Sequence, residues 1–86
     1  MQIFLVLAET DRADFDEKIR REFGDNSKRI TSGQWLVAAN DTPQGVSTRL
    51  GIGNGAFGRV MIAIVTQYWG WHDKEIWSWI GLKGAA

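Results

Sequence analysis

Cysteine is missing from this sequence, proline and histidine occur once each, and neither charge is in excess. Without cysteine the chain can form neither a disulfide framework nor a thiolate metal site, so packing or self-association must supply its stability. Its ten basic and ten acidic residues cancel, which removes the broad basic footprint of a dedicated nucleic-acid-binding protein. Only a local basic patch stays open for such a role.

Long apolar runs are also missing, because none reaches the roughly 18–20 residues that cross a bilayer. The apolar N-terminal residues lack a basic leader and a small-residue cleavage site, and they run directly into charged sequence. We therefore interpret them as a strand instead of a signal peptide, and expect no membrane association and a cytoplasmic location. The length predicts a single domain over residues 1–86.

Hydrophobic periodicity predicts four strands. Residues 3–8 are apolar throughout, which is typical of a central strand covered on both faces. Residues 27–31 are mostly polar and indicate an edge strand, which Ser32 and Gly33 separate from a second apolar strand over residues 34–39. Residues 60–65 form the fourth strand, again with no polar position.

Capping signals predict where the first helix lies. Asp11 and Asp14 are both suited to a helix start, and Asp14 with Glu17 has the spacing of a capping box. Gly24 stands where a left-handed C-terminal cap is expected. The helix between them carries one apolar stripe, made of Phe15, Ile19 and Phe23.

Two further helices follow from the same signals. Thr42 followed by Pro43 indicates a helix start, and Gly51 ends this short helix before a glycine-rich link to the fourth strand. Asp73 is expected to cap a last helix, whose apolar side contains Ile76, Trp77 and Ile80.

The element order is therefore β-α-β-β-α-β with an extra C-terminal helix, which predicts an α+β, ferredoxin-like domain with an antiparallel four-stranded sheet. In that architecture both main helices cover one face of the sheet. Three strands are apolar at nearly every position, so something must also cover the second face. We expect two covers, the tryptophan-rich C-terminal segment and a second copy of the chain.

A homodimer is therefore the predicted assembly, with the sheets of the two protomers facing each other and aromatic residues enriched where they meet. The predicted interface residues are Trp35, Tyr68, Trp69, Trp71 and Trp77. An alternative reading makes the aromatic cluster a stacking platform for single-stranded nucleic acid, which normally requires a positively charged groove beside it. Such a groove would have to be a basic strip formed by Arg20, Arg21, Lys28 and Arg29.

The strand order, the Gln34-Trp35-Leu36-Val37 strand and the last strand running into a tryptophan-containing tail resemble the Cas2-like group of small ferredoxin-like proteins. That group includes the CRISPR adaptation protein, VapD-type toxin ribonucleases and SinR-like bacterial proteins. The resemblance covers most of the chain and rests on pattern and order. It implies a cytoplasmic homodimer built through the sheets.

The same resemblance names a candidate metal site. Cas2 proteins carry an aspartate at the end of the first strand that binds a divalent metal, and Glu9 or Asp11 stands in the matching stretch here. Two such carboxylates across a dimer axis would hold magnesium and support a metal-dependent nuclease. The competing interpretation makes Asp11 a helix cap and Glu9 a solvated loop residue.

No motif predicts catalysis or a cofactor. Residues 53–60 match the glycine-rich phosphate loop of protein kinases, but the catalytic and metal-binding motifs of kinases do not occur in this sequence. We therefore interpret the glycines as a tight connection, with an anion held by loop N–H groups and Arg59 as the alternative. His72 has no sequence neighbours that form a catalytic set, and no serine has a nucleophile-elbow context. The leading hypothesis is a non-catalytic, homodimeric interaction domain.

Overall fold

Four strands and three α-helices make up residues 1–85, the part of the chain that the computed structural model describes. In chain order they are β1 (Gln2–Ala8), α1 (Ala13–Phe23), β2 (Ser27–Thr31), β3 (Gln34–Ala39), α2 (Pro43–Leu50), β4 (Val60–Val65) and α3 (Lys74–Gly84), with a 3-10 turn at Gly24–Asn26 after α1. The predicted α+β class is confirmed.

The strands form one antiparallel sheet in the order β2-β3-β1-β4. Strand β3 separates β1 from β2, and β1 separates β3 from β4, so each β-α-β unit is split by a strand of the other unit. The predicted central position of β1 and the predicted edge position of β2 are therefore confirmed. Strand β4 is the second edge.

Helices α1 and α2 cover one face of the sheet, as expected, and form the larger core with it. Its buried members come from four elements, β1, α1, β3 and α2: Phe4, Val6, Phe15, Ile19, Phe23, Trp35, Val37, Ala39, Val46 and Leu50. Phe15 packs edge-on against Trp35 with the ring centroids 5.2 Å apart, and against Phe57 at 4.9 Å. Each large side chain buried in this way contributes about 1.5–3 kcal/mol to stability.

Helix α3 lies against the second face and covers only one end of it. Ile76 and Ile80 pack on Ile3, Leu36 and Ala38, which are all buried. The predicted cover by the C-terminal segment is therefore confirmed for this end.

Helix α3 does not reach the other end of this face, where β1 ends and β4 begins. Ile3 pairs with Val65, Leu5 with Ala63 and Leu7 with Met61 in the β1–β4 ladder, and along these rows burial decreases until Met61 is 63% exposed. We call Leu7, which is half-buried, and the exposed Met61 the uncovered sheet end.

The start of α1 differs from the prediction. Arg12 occupies the N-cap position, and no side chain caps the helix. Both carboxylate oxygens of Asp14 accept hydrogen bonds from Arg12, at 3.0 and 2.9 Å, and these bonds hold the pKa of Asp14 below its usual value. The expected capping box is thus wrong because Arg12 engages the Asp14 carboxylate. Asp11 is not the cap either, because both of its oxygens accept from Arg29.

The predicted start and end of α2 and the predicted start of α3 are confirmed. The Thr42 hydroxyl accepts the Gly45 N–H at 3.0 Å, Pro43 is the first residue of α2, and Gly51 ends it with a φ of +69°. Asp73 occupies the N-cap position of α3, but its side chain makes no capping hydrogen bond.

The turn between β2 and β3 requires glycine. Gly33 has a φ of +74°, and a Cβ at this position would lie 2.6 Å from the carbonyl oxygen of Ala8. The Gly33 carbonyl also accepts the Ala8 N–H at 2.8 Å, so the turn packs against the end of β1. A side chain here would strain the backbone and displace that contact.

Replacing Gly33 by alanine is expected to lower the free energy of unfolding by about 2 kcal/mol or more, because the left-handed φ alone costs roughly 1–2 kcal/mol and the contact with Ala8 adds to it. Gly51→Ala is the matched control, since its φ is +69° and nothing lies within 4 Å of the added Cβ. Urea unfolding of both variants at one protein concentration makes the comparison. Equal losses would contradict the role of the contact with Ala8.

Candidate interaction surface

The connection between β4 and α3, residues 66–73, carries the most exposed aromatic side chains of the described chain. We call it the aromatic segment. Trp69 is 99% and Trp71 97% exposed, and Tyr68 is about half exposed. Exposed apolar groups of this size, placed together, are typical of an interaction site. The role of these three residues at a dimer interface stays a prediction.

Tyr68 attaches the aromatic segment to α3. Its ring stacks on Trp77 with the centroids 5.7 Å apart and the planes 18° from parallel. Trp77 is half-buried and packs on the smaller core. A groove of about 470 Å³ lies between these two rings, Trp69 and Gly70. The base of the segment is therefore fixed, while Trp69 and Trp71 project into solvent.

The aromatic segment continues directly from an uncharged strand. Residues 60–72 contain no Asp, Glu, Lys or Arg. Within residues 1–85, β4 pairs with β1 on one side and with no strand on the other. Met61 and Ile64, on opposite faces of β4, are 63% and 41% exposed. The hydrophobic periodicity of β4 did not predict that these two side chains are exposed. The absence of charge, which continues past the end of the strand to residue 72, could have indicated it.

Trp35 does not belong to this surface. It is 1% exposed, because it lies on the face covered by α1. Its indole Nε1 donates to Asp16 at 2.8 Å, and the Arg29 guanidinium lies 5.7 Å from its ring. The predicted interface role of Trp35 is therefore replaced by a core role, since the side chain offers no area to a second chain.

Glu9 and Asp11, the candidate metal ligands, are each paired with an arginine. Glu9 lies 3.6 Å from Arg59, and Asp11 binds Arg29 through both oxygens at 3.0 Å. Among residues 1–85, no three histidine or acidic side chains are grouped so that they could hold a metal ion. A metal at this end of β1 would have to compete with both arginines.

The four residues of the expected basic strip do not converge. Lys28 and Arg29 are neighbours in β2 and point to opposite faces, where Lys28 approaches Glu75 of α3 at 3.6 Å and Arg29 approaches Asp11 and Asp16. Arg20 pairs with Asp16 at 3.1 Å. The predicted strip is wrong because acidic partners neutralise three of its members.

The glycine-rich loop uses its own N–H groups internally. The Gly55 and Gly58 N–H groups donate to the carbonyls of Ile52 and Gly55, and the Ala56 N–H donates to the side chain of Asn54. These internal hydrogen bonds support the interpretation of the loop as a tight connection between α2 and β4 over its interpretation as an anion-binding site. His72 accepts the Asp73 N–H through Nδ1 at 2.8 Å, so this nitrogen is engaged at the start of α3.

No helix within the described residues is long and apolar enough to cross a membrane. The chain matches no protein-family model, and no curated protein is detectably similar to it in sequence.

Replacing both Trp69 and Trp71 by alanine is expected to change the free energy of unfolding by no more than about 0.5 kcal/mol in dilute solution, because neither side chain packs on its own chain. Trp35→Ala is the contrasting variant and is expected to cost about 3–5 kcal/mol, because it empties a core position. Urea unfolding followed by circular dichroism measures both. A large loss in the double variant would mean that the two tryptophans support the fold.

Proposed function

We propose that this chain is a non-catalytic interaction domain that works as a homodimer. The observation that carries the proposal is the near-complete exposure of Trp69 and Trp71, in the segment that follows the apolar edge strand β4. Tryptophan is enriched at protein interfaces, and charge is depleted at their centres. Residues 60–72 combine both properties.

The two exposed tryptophans would supply a large part of the area that an interface requires. Two aromatic side chains of this kind bury roughly 150–250 Å² each when covered. They would therefore supply about 300–500 Å² of the roughly 800 Å² that each partner contributes to a standard interface. Met61, Ile64 and Tyr68 add further apolar surface.

The proposal retains the ferredoxin-like assignment and the cytoplasmic location. The split strand order and the packing of α1 and α2 on one face support the assignment. The absence of cysteine is in keeping with a reducing compartment.

Size-exclusion chromatography with light scattering is expected to give the mass of a dimer at micromolar concentration. The Trp69→Ala/Trp71→Ala variant is expected to raise the dissociation constant by roughly 30-fold or more, since interface hot spots contribute about 2 kcal/mol or more. Leu82→Ala is the matched control, because Leu82 is also exposed but lies on α3 outside the aromatic segment. A monomer at all concentrations would contradict the proposal.

The competing proposal is a metal-dependent nuclease of the Cas2 and VapD type, for which Glu9 and Asp11 at the end of β1 would supply the carboxylates. Their pairing with Arg59 and Arg29 gives this alternative less support. We expect no cleavage of RNA or DNA with magnesium or manganese. Cleavage that is lost in the Glu9→Gln/Asp11→Asn variant, and retained in Glu17→Gln on the exposed side of α1, would replace the interaction proposal.

A further inference from the structure

We infer that the homodimer forms by edge-to-edge pairing of β4 with β4 of a second copy, in an antiparallel register centred on Ile62. This inference rests on the proposed homodimer and specifies its geometry. The two sheets would join into one continuous sheet of eight strands.

The two edges of the sheet are built differently. Strand β2 carries Lys28 and Arg29 and has an irregular register between Arg29 and Thr31, which are devices that natural proteins use to prevent edge pairing. Strand β4 has no charge, no proline and a continuous register with β1 over residues 60–65. The edge formed by β2 is therefore unsuited to pairing with another strand, whereas the edge formed by β4 is suited to it.

The backbone of β4 presents a regular set of unpaired groups. The Glu9 N–H donates to the Arg59 carbonyl at 3.0 Å, which fixes the phase of the β1–β4 ladder. Because hydrogen-bonded pairs alternate in an antiparallel ladder, Met61, Ala63 and Val65 bond to β1. The N–H and C=O groups of Val60, Ile62 and Ile64 point away from the sheet.

These outward groups are self-complementary. In a two-fold register centred on Ile62, Ile62 faces its own copy, and Val60 faces Ile64 of the second copy. In this register the N–H and C=O groups of all three residues form hydrogen bonds with the second copy. A shift of two residues in either direction would place some of these groups beyond the end of the partner strand. Two-fold interfaces require such self-complementarity.

The side chains fit the same register. Met61 lies opposite Ala63 of the second copy, so a large exposed side chain meets a small one on the face of α3. On the other face, branched residues meet, which is a favourable cross-strand combination. Within β4 no charged residue meets another, since the strand contains none. Hydrogen bonding and packing therefore select the same partner, a second copy of this chain.

Amide hydrogen exchange of the full chain, followed by NMR, tests the pairing. We expect exchange at Ile62 and Ile64 to slow by about tenfold or more between dilute and concentrated samples, because their N–H groups become bonded only in the dimer. Ala63 is the internal control, since its N–H bonds to β1 at every concentration. Fast exchange at Ile62 and Ile64 in a sample that light scattering shows to be dimeric would overturn edge pairing and leave the homodimer standing. A monomer at all concentrations would overturn both.

Cysteine cross-linking tests the register, since the chain contains no cysteine of its own. Positions 61 and 63 of two copies form a non-hydrogen-bonded pair with Cα atoms about 4.5 Å apart, within the range of a disulfide. The Met61→Cys/Ala63→Cys variant is therefore expected to give a covalent dimer on oxidation. Met61→Cys alone is the matched control, because its two copies lie on a diagonal of about 7–8 Å. Equal cross-linking of both variants, or none in the double variant, would overturn the register.

Discussion

The structure depends on one constraint, which is that its sheet is apolar on both faces while only three helices are present within residues 1–85 to cover it. Helices α1 and α2 together bury most of one face, on which Ile64 of the edge strand β4 stays 41% exposed. Helix α3, working alone, buries the end of the second face around Ile3 and Ala38 and leaves Leu7 and Met61 in contact with solvent. The exposed apolar surface is thus a consequence of how few helices serve two faces.

Charged residues are also distributed unevenly over the molecule. The acidic and basic residues around α1 and β2 pair with one another, as Arg29 does with Asp11 and Asp16. Surface pairs of this kind contribute little stability, about 0–1 kcal/mol each, but they keep that side well solvated. The run over residues 60–72 lacks charge altogether. The uncharged part of the molecule is therefore β4 and the segment that follows it.

Local signals in the sequence predicted the elements well, and long-range contacts account for the failures. Thr42 and Pro43 start α2 as expected because the cap contact reaches only to Gly45. Asp11 fails as a cap because Arg29, distant in sequence, binds it. Trp35 and Trp69 are the same residue type in apolar surroundings, yet one is 1% and the other 99% exposed. The difference comes from which face α1 covers and where the sheet ends, and neither can be inferred from the sequence immediately around the two tryptophans.

Edge pairing and the aromatic segment are connected through the direction of β4. In an antiparallel pair, the C-terminal end of one strand lies beside the N-terminal end of the other. The aromatic segment leaves the C-terminal end of β4, so it would emerge next to Arg59 of the second copy, whose side chain is 89% exposed. A guanidinium beside a tryptophan ring is a favourable cation–π contact. In the proposed dimer, the arginine before β4 and the tryptophans after it would be the two ends of one interface, with the uncharged strand between them as its centre.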